Sequence, residues 1–254
     1  MEKLFISAIA LFSTIAICGQ SSNTGSGRIY FEERSRIELK LEGDAEGLAS
    51  RLPRERKAEK ILVFNSDAML FENGNSVVDD EMANQHDDGN LRINMIVSGE
   101  NKIYTDLKTK KVIEQKDFMN RIFLVEKDIP QIDWKMTGNQ KEILGYTCYE
   151  ATKTDTAGLI TTAWFTPDIK IEGGPQGLGS LPGMILEADI NKGSRIYTAK
   201  SIESLKPEEM KIHPPKDGRK ISEEEYKKLV AEKLKEMGME EGGGNQMRIV
   251  IRHQ

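Results

Sequence analysis

Apolar and charged residues alternate with period two through most of this chain. Such alternation marks half-buried antiparallel strands. Residues 28–41 set Ile29, Phe31, Ile37, Leu39 and Leu41 against charged neighbours, and 59–72 holds two short strands around the turn sequence Asn65-Ser66-Asp67. Further strands are predicted over 92–97, 102–107, 112–116, 121–125, 134–136, 146–154, 160–166, 184–190 and 195–201, with tight connections at 98–101 and 106–111. About ten strands joined by short turns predict an α+β, mostly antiparallel fold: a large curled sheet or half-open barrel with a C-terminal helix. The helix is expected over 222–237. Ser222 followed by Glu225 forms a capping box, and Tyr226, Leu229, Val230, Lys233 and Met237 make a stripe that should dock on the sheet. Two segments break the alternation. Residues 43–60 read as a loop or a short helix broken at Pro53, and 78–90 as an acidic loop.

The N-terminus has the form of an export signal. Lys3 precedes an apolar run over 4–18, shorter than a membrane span, and cleavage after Gly19 would expose Gln20. The expected organisation is a signal peptide over 1–19, a disordered linker over 20–27 and a single β-rich domain over 28–254. The expected location is the periplasm or the cell exterior, with outer-membrane association open. Lipidation at Cys18 is disfavoured by Ile17, because lipoprotein sites take a small residue there. No later run reaches the ~20 apolar residues of a spanning helix. A net charge of −5 with scattered Lys and Arg argues against nucleic acid as a partner.

Residues 173–187, GGPQGLGSLPGMILE, form the least ordinary segment. Five glycines and two prolines exclude a helix, and the apolar second half runs straight into a strand. Two readings stand side by side. As a binding loop, Gly174, Pro175, Gly177, Gly179, Leu181, Pro182, Gly183 and Met184 would let backbone approach a ligand or partner. As a structural corner, Pro182 and Gly183 would set a turn while Leu181, Met184 and Leu186 plug one end of the sheet. The corner is the preferred reading, and no GK[ST] closes the loop into a phosphate cradle.

Other chemistry is weaker. Cys148 lies in an alternating strand, and none of the three His (His86 in the acidic loop, His213 before Pro214-Pro215, His253 next to the terminus) sits in a catalytic context, so it reads as a small buried hydrophobe rather than a nucleophile. No catalytic set, metal set or cofactor is predicted. Met237, Met239 and Met247 are a thin case for copper, and the acidic loop lacks a calcium register. Trp134 and Trp164 are assigned to the core rather than to sugar stacking. The strand over 247–252, behind three glycines, is expected to pair within its own chain rather than with a partner.

Three stretches, LGYTCYEA (144–151), AWFT (163–166) and GPQGLGSLPGMILE (174–187), resemble the GLPGLI family of secreted Bacteroidetes proteins. Ser180 and Met184 depart from its name-giving motif; Leu181, Pro182, Gly183 and Ile185 match. The resemblance implies an exported protein and no particular reaction. With the curled sheet it leads to the expectation of a non-catalytic envelope protein that binds a lipid-like group or a protein partner in an apolar concave face. A hydrolase of unrecognised type and a scaffold acting through the C-terminal strand are the alternatives.

Overall fold

The computed structural model describes residues 25–36, 39–41, 55–74, 101–210, 212–236, 240–242 and 246–251. The export signal, Cys18, His86, His253, the acidic stretch 78–90 and the strand expected over 92–97 lie outside them.

Twelve strands form one open sheet around a central first strand. That strand, β1 (Gly27–Arg36), is flanked by β3 (Glu55–Phe64) and β12 (Arg195–Ser204), both antiparallel to it. Beyond β3 a meander runs outward through β4 (Ala68–Asn73), β5 (Lys102–Asp106), β6 (Lys111–Phe118) and β7 (Arg121–Asp128). A second meander starts at the far edge with β8 (Lys135–Ile143) and returns inward through β9 (Tyr146–Thr154), β10 (Ile160–Thr166) and β11 (Met184–Ile190) to β12. Short β13 (Arg219–Ile221) adds to β7 in parallel. The sheet thus ends in two edges, β13 and β8, and does not close into a barrel. A separate three-stranded sheet joins β2 (Leu39–Leu41), β14 (Glu240–Gly242) and β15 (Gln246–Ile251). In it the C-terminal strand pairs in parallel with its own chain.

Turn chemistry places the hairpins where the sequence predicts them. Asn65 Oδ1 accepts the amides of Asp67 and Ala68 at 2.8 Å each, and Asp106 Oδ1 accepts those of Lys108 and Thr109 at 2.9 Å each. Register shifts at Tyr30/Phe31, Trp164/Phe165 and between Met136 and Gln140 mark bulges, which bend strands and raise twist.

Alternation alone misses some strand residues. β3 begins at Glu55, inside the stretch read as loop or helix, because its first half (ERKAEK) is charged on both faces. β8 runs to Ile143 rather than stopping at 136; it is an exposed edge and carries almost no apolar residue. Residues 28–41, read as one run, divide into β1 and β2, which belong to different sheets.

The helix α1 (Glu223–Glu236) starts where its cap predicts. Ser222 Oγ accepts the Glu225 amide at 3.2 Å, while the Glu225 carboxylate accepts the Ser222 amide at 3.1 Å. Its Tyr226, Leu229 and Val230 pack on Phe118, Phe123, Val125 and Ile221, a satellite core beneath the helix. Among the described residues no helix is long and apolar enough to cross a membrane.

The main core draws on both meanders. Leu62, Phe71, Ile103 and Val112 of one share a cluster with Cys148, Ala151, Ala163, Phe165, Ile185 and Ala188 of the other. Across a flat sheet, β5 and β10 would stand six strand spacings apart, roughly 29 Å. They share a core because the sheet curls and the segment between β10 and β11 lies across the gap.

Candidate functional site

That bridging segment is the glycine-rich loop, and it joins the two wings of the sheet. On one side the Ile185 amide donates to Gly173 O at 2.8 Å. On the other, a Cβ at Gly173 would meet Met69, and one at Gly177 would stand 3.4 Å from Ile103. Leu178 and Leu181 are buried in the main core, with Met184 and Leu186 wholly enclosed beside them. Outside the core, Ser180 Oγ accepts the Ile132 amide at 3.2 Å and donates to Pro130 O at 3.3 Å, while the Trp134 indole donates to Gly179 O at 2.8 Å. Gly174, Pro175, Leu181, Gly183 and Met184 are buried, Gly177 and Gly179 half-buried, and Pro182 exposed. The apolar concave face expected to take a lipid-like ligand is therefore covered by the chain itself. A row of small residues on adjacent strands, Ala151, Ala163 and Ala188, leaves room for this packing.

A polar cluster begins where the loop meets the sheet. Gln176 holds a left-handed φ of 57°, an unfavourable conformation for a residue with a side chain, and its amide oxygen accepts the Tyr197 hydroxyl at 3.0 Å. Tyr197 is fully enclosed and packs edge-on against Phe71 with 5.8 Å between ring centroids. Burial pushes its pKa well above the phenol range, and the neighbouring Glu33 carboxylate pushes it further. Glu33 lies 3.3 Å from both Lys60 Nζ and Arg195 Nε, and Lys60 also donates to Asn73 Oδ1. One acid between two cations leaves this trio with a net positive charge.

The sequence does not bring this cluster together, because Glu33, Lys60, Arg195, Tyr197 and Gln176 come from three strands and a loop. The one clue was Glu33 itself, a charge on the inward phase of Ile29 and Phe31.

The opposite face carries a second row, Glu32, Thr198, Glu187, Trp164 and Glu150, across β1, β12, β11, β10 and β9. Its carboxylates are occupied. Glu150 accepts Thr137 Oγ1 at 2.6 Å and Asn139 Nδ2 at 2.7 Å, and Glu187 pairs with Lys141 at 2.7 Å. Lys141 also covers the Trp164 ring at 4.2 Å from its centroid. Trp134 carries Lys153 in the same way at 5.7 Å, and both indoles pack at the margin of the main core.

Cys148 is fully buried and its Sγ donates to Tyr146 O at 3.6 Å. Burial pushes the thiol pKa up to about 11. The folded protein should resist thiol reagents at mildly alkaline pH and react fully in denaturant. Native-state labelling at the rate of a free thiol would contradict this placement. Among the described residues, no three His, Cys, Asp or Glu side chains converge as a metal set.

Comparison with known proteins adds an identity for this architecture. A family model described as N-glycanase peptide, N-terminal domain (PNGase_F-II_N) matches residues 57–228, about two thirds of the chain. Two crystal structures of PNGF-II, in space groups P21 and C2, each align at a TM-score of 0.53 and 19% identity. The alignments cover 81% of this chain and 33% and 32% of the respective solved chains, so this chain spans about a third of their length. An uncharacterized conserved protein from Thermus thermophilus aligns at a TM-score of 0.40 and 8% identity, over 79% of this chain and 92% of that one. The search of curated proteins gives no match.

These findings correct the resemblance drawn from the three short motifs. All three motifs lie inside the matched region, which is the PNGase F-II N-terminal domain and not GLPGLI. The motif misled because its matching residues Leu181, Pro182 and Gly183 report the geometry of a packed corner, and a corner can recur without kinship. The expectation of a non-catalytic envelope protein with a lipid-like or protein ligand falls with it, since the matched family is a glycanase one.

Proposed function

We propose a glycan-related function for this chain, which belongs to the family of N-glycanase peptide N-terminal domains. In this reading it engages the sugar-bearing part of an N-glycosylated polypeptide in N-glycanase action. The family match over 57–228 carries the proposal. The polar end of the concave face supplies suitable chemistry. Sugars are bound by aromatic faces together with amide, carboxylate and guanidinium groups that hydrogen-bond hydroxyls. Gln176, Glu33, Asn73 and Arg195 are such groups, linked through Tyr197 and Lys60 where the glycine loop meets the sheet, and the Trp134 indole donates to the same loop at Gly179. The half-buried loop positions Gly177 and Gly179 are its backbone margin.

The test uses the full chain and a glycoprotein carrying one neutral high-mannose N-glycan, beside the same protein lacking the glycan. Calorimetry should show at least about tenfold tighter binding of the glycosylated form. Mass spectrometry of the mixture reads whether the glycan is released. Equal affinity for both forms, with the glycoprotein mass unchanged, would remove the proposal.

A further inference from the structure

Eight of the described residues other than glycine hold a left-handed backbone. Six of them, Lys110, Met119, Asn120, Leu144, Asn191 and Lys192, sit in hairpin connections, which call for that conformation. Gln176 and Ser180 do not. Their φ angles are 57° and 63°, and both belong to the glycine-rich loop. Each is held there by its own side chain. Gln176 accepts the Tyr197 hydroxyl, while Ser180 bonds the Ile132 amide and Pro130 O. Strain of this kind persists where surrounding contacts impose it, and it gathers at ligand clamps and switches.

Residues 175–180 are tied down differently from the rest of the loop. Their backbone pairs within the strap itself, the Leu178 amide with Pro175 O at 3.1 Å. Among the described residues, the strap's hydrogen bonds to the rest of the protein all pass through a side chain: Gln176, Ser180, or the Trp134 indole that donates to Gly179 O. The flanks are fixed by backbone and core instead, through the Ile185 amide on Gly173 O and the burial of Leu181. Only Pro175 and Leu178 of the six strap residues are buried, and glycines at 174 and 179 leave its two ends free to turn. The strap shuts the polar cluster. Tyr197 is fully enclosed, so a sugar hydroxyl reaches the Tyr197 hydroxyl only by taking the place of Gln176.

We propose that residues 175–180 are a gate, latched by the Tyr197–Gln176 hydrogen bond, which lifts between Gly174 and Gly179 to admit a sugar to the polar cluster. The identity of the guest rests on the glycan-related reading; the lifting does not.

The experiment follows hydrogen exchange in the isotopically labelled full chain by NMR, first with no ligand present. The Trp134 indole N–H, held by Gly179 O, and the Ile132 amide, held by Ser180 Oγ, are freed when the strap lifts. The Ile185 amide, held by Gly173 O, stays bonded until the whole segment leaves the sheet. Tyr197→Phe removes the latch and leaves Gln176 strained. It should speed exchange of the Trp134 indole and the Ile132 amide about fivefold, the worth of one hydrogen bond, and leave Ile185 unchanged. Counted along the sheet, Tyr197 and Trp134 stand about four strand spacings apart, roughly 19 Å, so the strap is what couples them. Ser180→Ala frees the other end without touching the core and should speed the Trp134 indole by a similar factor. Unchanged exchange at Trp134 in both variants, or equal acceleration of all three N–H groups, would overturn the gate. Saturation of the unaltered chain with the high-mannose glycoprotein should speed both strap reporters; slowing of both would mean that the sugar binds the closed strap, and would overturn it too. The ligand-free result needs no glycan, so failure of the gate and failure of the glycan-related reading are told apart.

Discussion

Gly183→Ala should cost about 3–5 kcal/mol and lower the melting temperature by roughly 10 °C. A Cβ at this position would lie 2.0 Å from the Thr166 carbonyl oxygen and 2.7 Å from its carbon. Those are backbone atoms at the end of β10, and Thr166 is fully buried, so neither side can yield cheaply. The conformation adds to the cost, since φ is 147° here, a region that side-chain-bearing residues avoid. Gly179→Ala is the control. Its added Cβ would meet nothing closer than 3.7 Å, and the change should stay within about 0.5 kcal/mol. Thermal unfolding of the two variants decides the matter. Similar melting points would mean that the 173–187 segment does not brace the sheet.

Glu33→Gln should destabilise the fold by about 2–4 kcal/mol, because it strands two cations beside an apolar core. The side chains of Glu33 and Lys60 are only 13% and 17% exposed, too enclosed for the small values typical of surface pairs. Combining it with Lys60→Met should cost less than the sum of the single changes by about 1 kcal/mol or more, since the double variant removes one of the stranded charges. Urea denaturation of the four proteins measures the coupling. Additive losses would show that Glu33 acts through its shape rather than its charge.

Much of the sheet is legible in the sequence, and the reason is physical. β9 and β10 fall where alternation put them, because each has one face largely in the core and the other more open to water, while β11 follows as an apolar run whose first three residues, Met184, Ile185 and Leu186, are all buried. Ser222 and Glu225 likewise fixed the start of α1 through hydrogen bonds that span three residues. Legibility stops where the cause is not local. β8 is polar because it is an edge, and nothing within it says so. The parallel strand β13 is three residues long and exists through its pairing with β7. The polar cluster around Tyr197 needs the register of β1, β3 and β12 before its members can be seen as neighbours. The glycine loop is legible as unusual and as a corner, but not its kinship, since a short motif records a bend rather than a lineage.

The central position of β1 has a consequence for synthesis. Ile29 pairs with Ile202 in β12, and Tyr30 hydrogen-bonds Glu203 across a separation of 173 residues. At a translation rate of about 5–20 residues per second, the first strand of the sheet waits roughly 10–35 s for its second neighbour. Throughout that interval one side of β1, with Ile29 and Phe31, has no native strand to pair with. The domain is thus most open to mispairing and to chaperone capture before β12 is made, and its slowest native contacts are those that join the two meanders.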